Sequence, residues 1–163
     1  MVVKNSKPAL NDRVPIENLN DWTLYFRGIE SPQDIAIPPK VKNWKRLTVA
    51  EIDAQVKSGN VYFCGTDGIG TNASIKILDD NVRKYVFSLG DESTNKQQVL
   101  DVETVKALLA INNKEEFTER LKSLIVTDAE KRMIGVWLKE IGIDDIETYK
   151  INAIKQISGY PIG

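Results

Sequence analysis

A chain of 163 residues, 42% apolar and 28% charged with a net charge of -1, has the composition of a soluble globular protein of one medium domain or two small ones. Histidine is absent and cysteine occurs once, at Cys64, which excludes an intramolecular disulfide, zinc sites of the usual kind and nucleophile systems that need a histidine base. Basic and acidic residues balance along the chain, so neither a basic arm nor an acidic tail points to a large electrostatic footprint on nucleic acid.

Residues 1–20 show no helical or strand period. They contain no apolar run of the kind a signal peptide needs. No stretch approaches the roughly 20 apolar residues of a membrane-spanning helix, so a soluble protein is expected. Residues 14–21 read as an extended arm lying across a neighbouring subunit, with Val14, Ile16 and Leu19 as its apolar anchors. Residues 1–12 read equally as a disordered terminus.

Trp22 to Arg27 alternates, placing Trp22, Leu24 and Phe26 on one face and Thr23, Tyr25 and Arg27 on the other, the period of a strand. Ile35-Ala-Ile is a short extended piece closed by Pro38 and Pro39, which cannot donate to a ladder. Most of residues 28–46 reads as irregular, with Trp44 folding the loop back. Thr48-Val-Ala-Glu51 is a capping box, flanked by Leu47 and Ile52 at the spacing of a hydrophobic staple. It predicts a helix over 49–57, ended by Gly59.

Val61-Tyr-Phe-Cys64 predicts a strand, Gly65–Thr71 a flexible hairpin tip, Ala73–Leu78 a second strand and Val82–Leu89 a third, joined as an antiparallel meander. Residues 90–98 are polar and aperiodic and read as a linker. Four helices follow, marked by caps at Asp101, Asn113 and Thr127, with Asp144 or Asp145 expected to cap the last. The predicted class is α+β: a small antiparallel β-sheet with one packed helix, followed by a compact C-terminal helical subdomain. The predicted divisions are an arm over 1–20, a β-rich domain over 21–95 and a helical domain over 96–163.

The glycines at 65, 68 and 70 have the wrong spacing for a dinucleotide fingerprint, and a strand rather than a helix is expected after them. Gly70-Thr71 lacks the lysine of a phosphate loop. Asp67-Gly68 is a favoured turn pair, and the loop is read as a contact loop through Asp67, Ile69 and Thr71. Asp79-Asp80 and Asp144-Asp145 read as a turn and a helix start rather than ligands or an acid pair. Cys64 has no histidine to activate it and reads as a small core residue. Lys40, Lys42, Lys45 and Arg46 surround Trp44, a patch that Arg83-Lys84 could extend into a nucleic-acid surface if both share one face.

No catalytic, cofactor or metal constellation emerges. The expected function is non-enzymatic: structural or interaction work through protein–protein contacts in a larger assembly, with other subunits as partners and no membrane. The interface candidates are Val14, Ile16, Leu19, Tyr25, Trp44, Asp67, Ile69 and Thr71. The rival readings are a nucleic-acid-binding accessory protein using Lys40–Arg46 and an enzyme working with carboxylates alone, Asp67 first among them.

In its arm at 1–20, its Trp22–Arg27 strand, its Gly65–Thr71 loop and its histidine-free C-terminal helices, the chain resembles small accessory proteins of tailed-bacteriophage virions, those of head decoration or fibre attachment. The resemblance implies many symmetry-related copies, contacts through the arm and loops, and a virion as the place of action after cytoplasmic synthesis. It assigns no residue a role.

Overall fold

The computed structural model describes residues 7–39, 45–90 and 96–162. The chain divides into two compact units, Met1–Gln97 and Gln98–Gly163. A small antiparallel β-sheet region is followed by a C-terminal helical subdomain, the α+β class that the sequence predicts.

The first unit is organised around β1 (Arg13–Asn18), which is the central strand of a three-stranded antiparallel sheet. On one side it pairs with β4 (Lys45–Thr48), Val14 opposite Leu47; on the other it pairs with β5 (Ile75–Ile77), Ile16 opposite Ile77. Residues 13–20 are therefore no free arm. Val14, Ile16 and Leu19 are buried in the unit's own core and are not presented to a neighbour. Pro15 is tolerated in a central strand because its carbonyl accepts the amide of Leu78, on the β5 side, where that strand has already ended. The missing N–H falls beside Leu78 at the very end of that pairing, so it forgoes at most one terminal bond and interrupts no ladder.

β2 (Leu24–Arg27) and β3 (Asp34–Ile37) form a second, two-stranded antiparallel ladder. Leu24 opposite Ile37 and Phe26 opposite Ile35 turn inward, and Phe26 meets Phe63 edge to face with centroids 5.5 Å apart. Trp22 lies outside the strand and is partly exposed, so the alternating pattern begins two residues later than expected. α1 (Val49–Lys57) starts and stops where its caps predict: the Thr48 hydroxyl accepts the amide of Glu51, and Gly59 takes a positive φ of 82° beyond the last turn. The carboxylate of Glu51 does not complete the expected box.

Two expected strands are helices. Val61–Cys64 forms the one-turn α2, because the Asn60 side chain accepts the amide of Tyr62 and fixes a helix start. Val82–Leu89 is largely α3 (Asp80–Val86): Asp79 caps it through the amide of Val82, and Asp80 pairs with Arg83 and Lys84 along the helix face. Val82 and Val86, one helical turn apart, supply its buried face. The unit thus packs α1, α2 and α3 rather than one helix, and its sheet order β4-β1-β5 replaces the expected meander.

The second unit contains α4 (Val102–Leu109), α5 (Lys114–Leu124), α6 (Asp128–Ile141) and α7 (Thr148–Ser158). Asp101, Asn113 and Thr127 cap the first three as expected, with reciprocal boxes at Asp101–Thr104 and Thr127–Glu130. α7 begins after Glu147 with no side-chain cap, so Asp144 and Asp145 do not start it. Phe117, Leu121, Ile134, Leu138 and Ile154 have no solvent exposure and form the centre of its core. Lys150 is buried against this core; its Nζ donates to the Leu109 carbonyl at 2.7 Å, satisfying an acceptor at the end of α4, and lies 3.3 Å from Glu147.

Truncating Ile16 to Ala should lower the unfolding free energy by about 2–5 kcal/mol, the cost of a cavity in a packed core. Urea denaturation of the full chain measures it. A change of a few tenths would mean that β1 is a dispensable arm after all.

Candidate functional site

Among the described residues of the first unit, three surfaces carry exposed chemistry: the β2–β3 hairpin, the Gly65–Thr71 loop, and a cleft beside the start of α1. Each is built from local rules that the sequence obeys.

On the hairpin, the period of two that buries Leu24 sends Tyr25 and Arg27 outward. The residue opposite Tyr25 is Ala36, whose methyl group leaves the ring uncovered, and Tyr25 is 69% exposed. Arg27 stands opposite Asp34, and with Pro32 these residues border a shallow hollow of about 450 Å³. A tyrosine held by a backbone ladder keeps its position without a neighbour's help. That is display by a rigid element.

The glycine loop links α2 to β5 and is not the tip of a hairpin. Its amides are committed within the loop. Gly68 and Gly70 donate to the Cys64 carbonyl, Thr66 donates to Thr71, and Ile69 and Thr71 donate to the Asp67 carboxylate at 3.0 and 3.2 Å. A phosphate-binding loop needs such amides free and pointing at the ligand, so the loop's own bonding argues against one more strongly than its glycine spacing. Gly65 and Gly70 hold φ values of 65° and 91°, and a side chain on Gly70 would run into Gln97. Gln97, expected in a linker, is buried: its Nε2 donates to the carbonyls of Gly70 and Ile75, and its Oε1 accepts the amide of Ile77.

Burial alone would push the Asp67 carboxyl up, but bonds from the Thr71 hydroxyl and from the Ile69 and Thr71 amides outweigh it and hold the group below the usual carboxylate range. Asp80 behaves alike: burial raises it, and Arg83 and Lys84 together lower it further than that. Cys64 shifts the other way, as burial pushes its thiol up and its Sγ donates to the Val56 carbonyl. A raised thiol is a poor nucleophile.

The third surface rests on Glu51. Its buried carboxylate accepts the backbone amides of Ile29 and Ser31 at 3.1 Å and of Glu30 at 3.4 Å, together with the Gln55 side chain. It pins the β2–β3 turn against α1 and closes one end of a cleft of about 410 Å³. The capping-box spacing singled out Glu51, but for the wrong partner.

Of the residues expected at an interface, Tyr25 and Ile69 are exposed apolar side chains, Asp67 is exposed and Thr71 is half-buried. Val14, Ile16 and Leu19 are core. Trp44, Lys40 and Lys42 lie outside the described residues. Arg83 is buried and paired with Asp80 at 2.9 Å, so the pair Arg83-Lys84 offers no exposed basic extension to a nucleic-acid surface. Among the described residues no group of three or more His, Cys, Asp or Glu side chains could hold a metal ion, and no helix is long and apolar enough to cross a membrane. No family model, no curated protein and no solved structure matches the chain.

Replacing Glu51 with Gln should cost about 1–3 kcal/mol, since the amide has one acceptor oxygen where three backbone donors converge. Chemical denaturation gives the loss, and faster hydrogen exchange at Ile29 and Ser31 locates it; unchanged exchange there would contradict the assignment. Asp67 contributes stability above the ordinary carboxyl pKa that disappears as pH falls through its lower folded value. Asp67→Asn should therefore shrink the loss of stability between about pH 7 and about pH 3. Parallel urea midpoints for the two proteins would refute this if their difference were the same at both pH values.

Proposed function

We propose that the chain is a non-enzymatic interaction or structural protein that works through protein–protein contacts in a larger assembly, with the outward face of the β2–β3 hairpin as its principal contact. The observation that carries this reading is Tyr25: a large ring 69% exposed, fixed by the β2–β3 ladder, opposite a small residue and next to an exposed arginine. Tyrosine and arginine dominate the residues on which binding energy concentrates, because each offers a large contact area and directional hydrogen bonds. The hollow beside Tyr25 supplies the concave partner that such anchors need. Ile69, 43% exposed on the bonded glycine loop, is a secondary contact.

The narrower form of the reading, an accessory component of a tailed-bacteriophage virion, draws on the sequence resemblance. Native mass measurement over a concentration series, with negative-stain microscopy of the same samples, tests both forms. The interaction reading expects a defined oligomer or co-assembly that Tyr25→Ser weakens by about tenfold or more in dissociation constant, the effect of losing one anchor, while the unfolding midpoint stays unchanged. A monomer at every concentration, and indifference of any isolated co-assembly to Tyr25→Ser and Arg27→Ala together, would overturn it. The virion form further expects many copies in a symmetric particle.

A further inference from the structure

The cleft that Glu51 closes has charged walls of opposite sign that do not neutralise each other. In the antiparallel pairing of β1 with β4, Arg13 lies opposite Thr48 and Arg46 opposite Pro15. Arg13 and Arg46 are therefore diagonal neighbours on the sheet face that Val14 and Leu47 turn away from. Diagonal Cβ atoms sit about 7–8 Å apart or less, a span over which two guanidinium groups can converge on one carboxylate. The hairpin side of the cleft contributes Glu30, Gln33 and Asp34. Within the described residues neither arginine forms an ion pair or side-chain hydrogen bond, and neither do the carboxylates of Glu30 and Asp34, although Asp34 stands opposite Arg27 on the hairpin.

Like charges left beside each other, facing unneutralised opposite charges across a space of about 410 Å³, define what can fill it. A bare anion would be drawn to the arginines and repelled by Glu30 and Asp34. A bare cation meets the converse. An apolar ligand would strip water from four charges with no return. The fifth charge, on Glu51, is already offset by its three backbone amides.

We propose that this cleft binds a small zwitterion of amino-acid or short-peptide size, its carboxylate held by Arg13 and Arg46 and its ammonium by Asp34 and Glu30. The volume lies within the range of small-ligand sites. The four charged residues are exposed, so the site can be altered without disturbing the core. Tyr25 does not border the cleft, and Asp34 is the one residue the cleft shares with the hollow of the protein-contact reading, so Arg13 and Arg46 test this inference separately from it.

The test is a titration of the full chain with dialanine, N-acetyl-dialanine, dialanine amide and inorganic phosphate, following the backbone resonances of Gln33, Ile35 and Thr48. Free dialanine should give saturable shifts, with each blocked form about tenfold weaker or more. The double variant Arg13→Ala/Arg46→Ala should lose about tenfold in affinity and no longer distinguish dialanine from its amide, while Glu30→Gln/Asp34→Asn should lose the preference over the acetylated form and keep the other. Unfolding midpoints of the variants confirm that both remain folded. Absence of saturable shifts, equal binding of the blocked peptides, or phosphate binding as tight as dialanine would each overturn the proposal.

Discussion

The side chain of Asn18 has no exposure to solvent and makes three bonds that tie the first unit together. Its Nδ2 donates to the carbonyls of Trp22 at 2.7 Å and Ile37 at 3.0 Å, and its Oδ1 accepts the amide of Asn20 at 2.9 Å. One amide thereby joins the end of the central strand, the turn after it and the last residue of β3. A buried amide without partners costs more than a typical hydrogen bond contributes, so the three contacts hold as a set or fail as a set. The hairpin is set against β1 through this group, and the hollow at Tyr25 and the cleft at Arg13 both inherit their shapes from it.

The same device recurs through the molecule: polar side chains stand in for missing backbone partners. Gln97 presents a donor and an acceptor to β5 at Ile75 and Ile77, as a neighbouring strand would, and so covers an edge that would otherwise be open to another chain. Glu51 serves the amides of a turn that has no ladder of its own. Asp67 does so for the glycine loop, and Lys150 for the end of α4. With strands of three to six residues, the sheets alone leave many groups unpaired. The side-chain surrogates complete them.

This explains what the sequence disclosed and what it concealed. Caps are local, so Thr48, Asp101, Asn113 and Thr127 mark their helices directly. Val61–Cys64 and Val82–Leu89 are rich in strand-forming residues, and only the capping side chains of Asn60 and Asp79, together with packing, make them helical. β1 was concealed because a strand with a proline, pairing on either side over only part of its length, has little local signature. Gln97 looks like linker because its partners are distant in sequence. Tyr25 was legible, since alternation alone predicts an outward side chain. The cleft was not, because Arg13 and Arg46 become neighbours only through strand register.

Surrogate bonding also sorts the polar residues by availability. Glu51, Asp67, Asp79, Asp80, Gln97 and Lys150 are engaged in holding loops, edges and helix ends, and drawing any of them into chemistry would mean breaking those bonds. A carboxylate mechanism built on Asp67 would have to release two amides of the glycine loop before the oxygen that holds them could act. Among the described residues of the first unit, the uncommitted groups include a tyrosine on the hairpin and a set of opposed charges around a cleft. Groups of that kind are the ones on which binding energy concentrates, and the proposed contact and the proposed cleft site draw on them rather than on the side chains that hold the scaffold together.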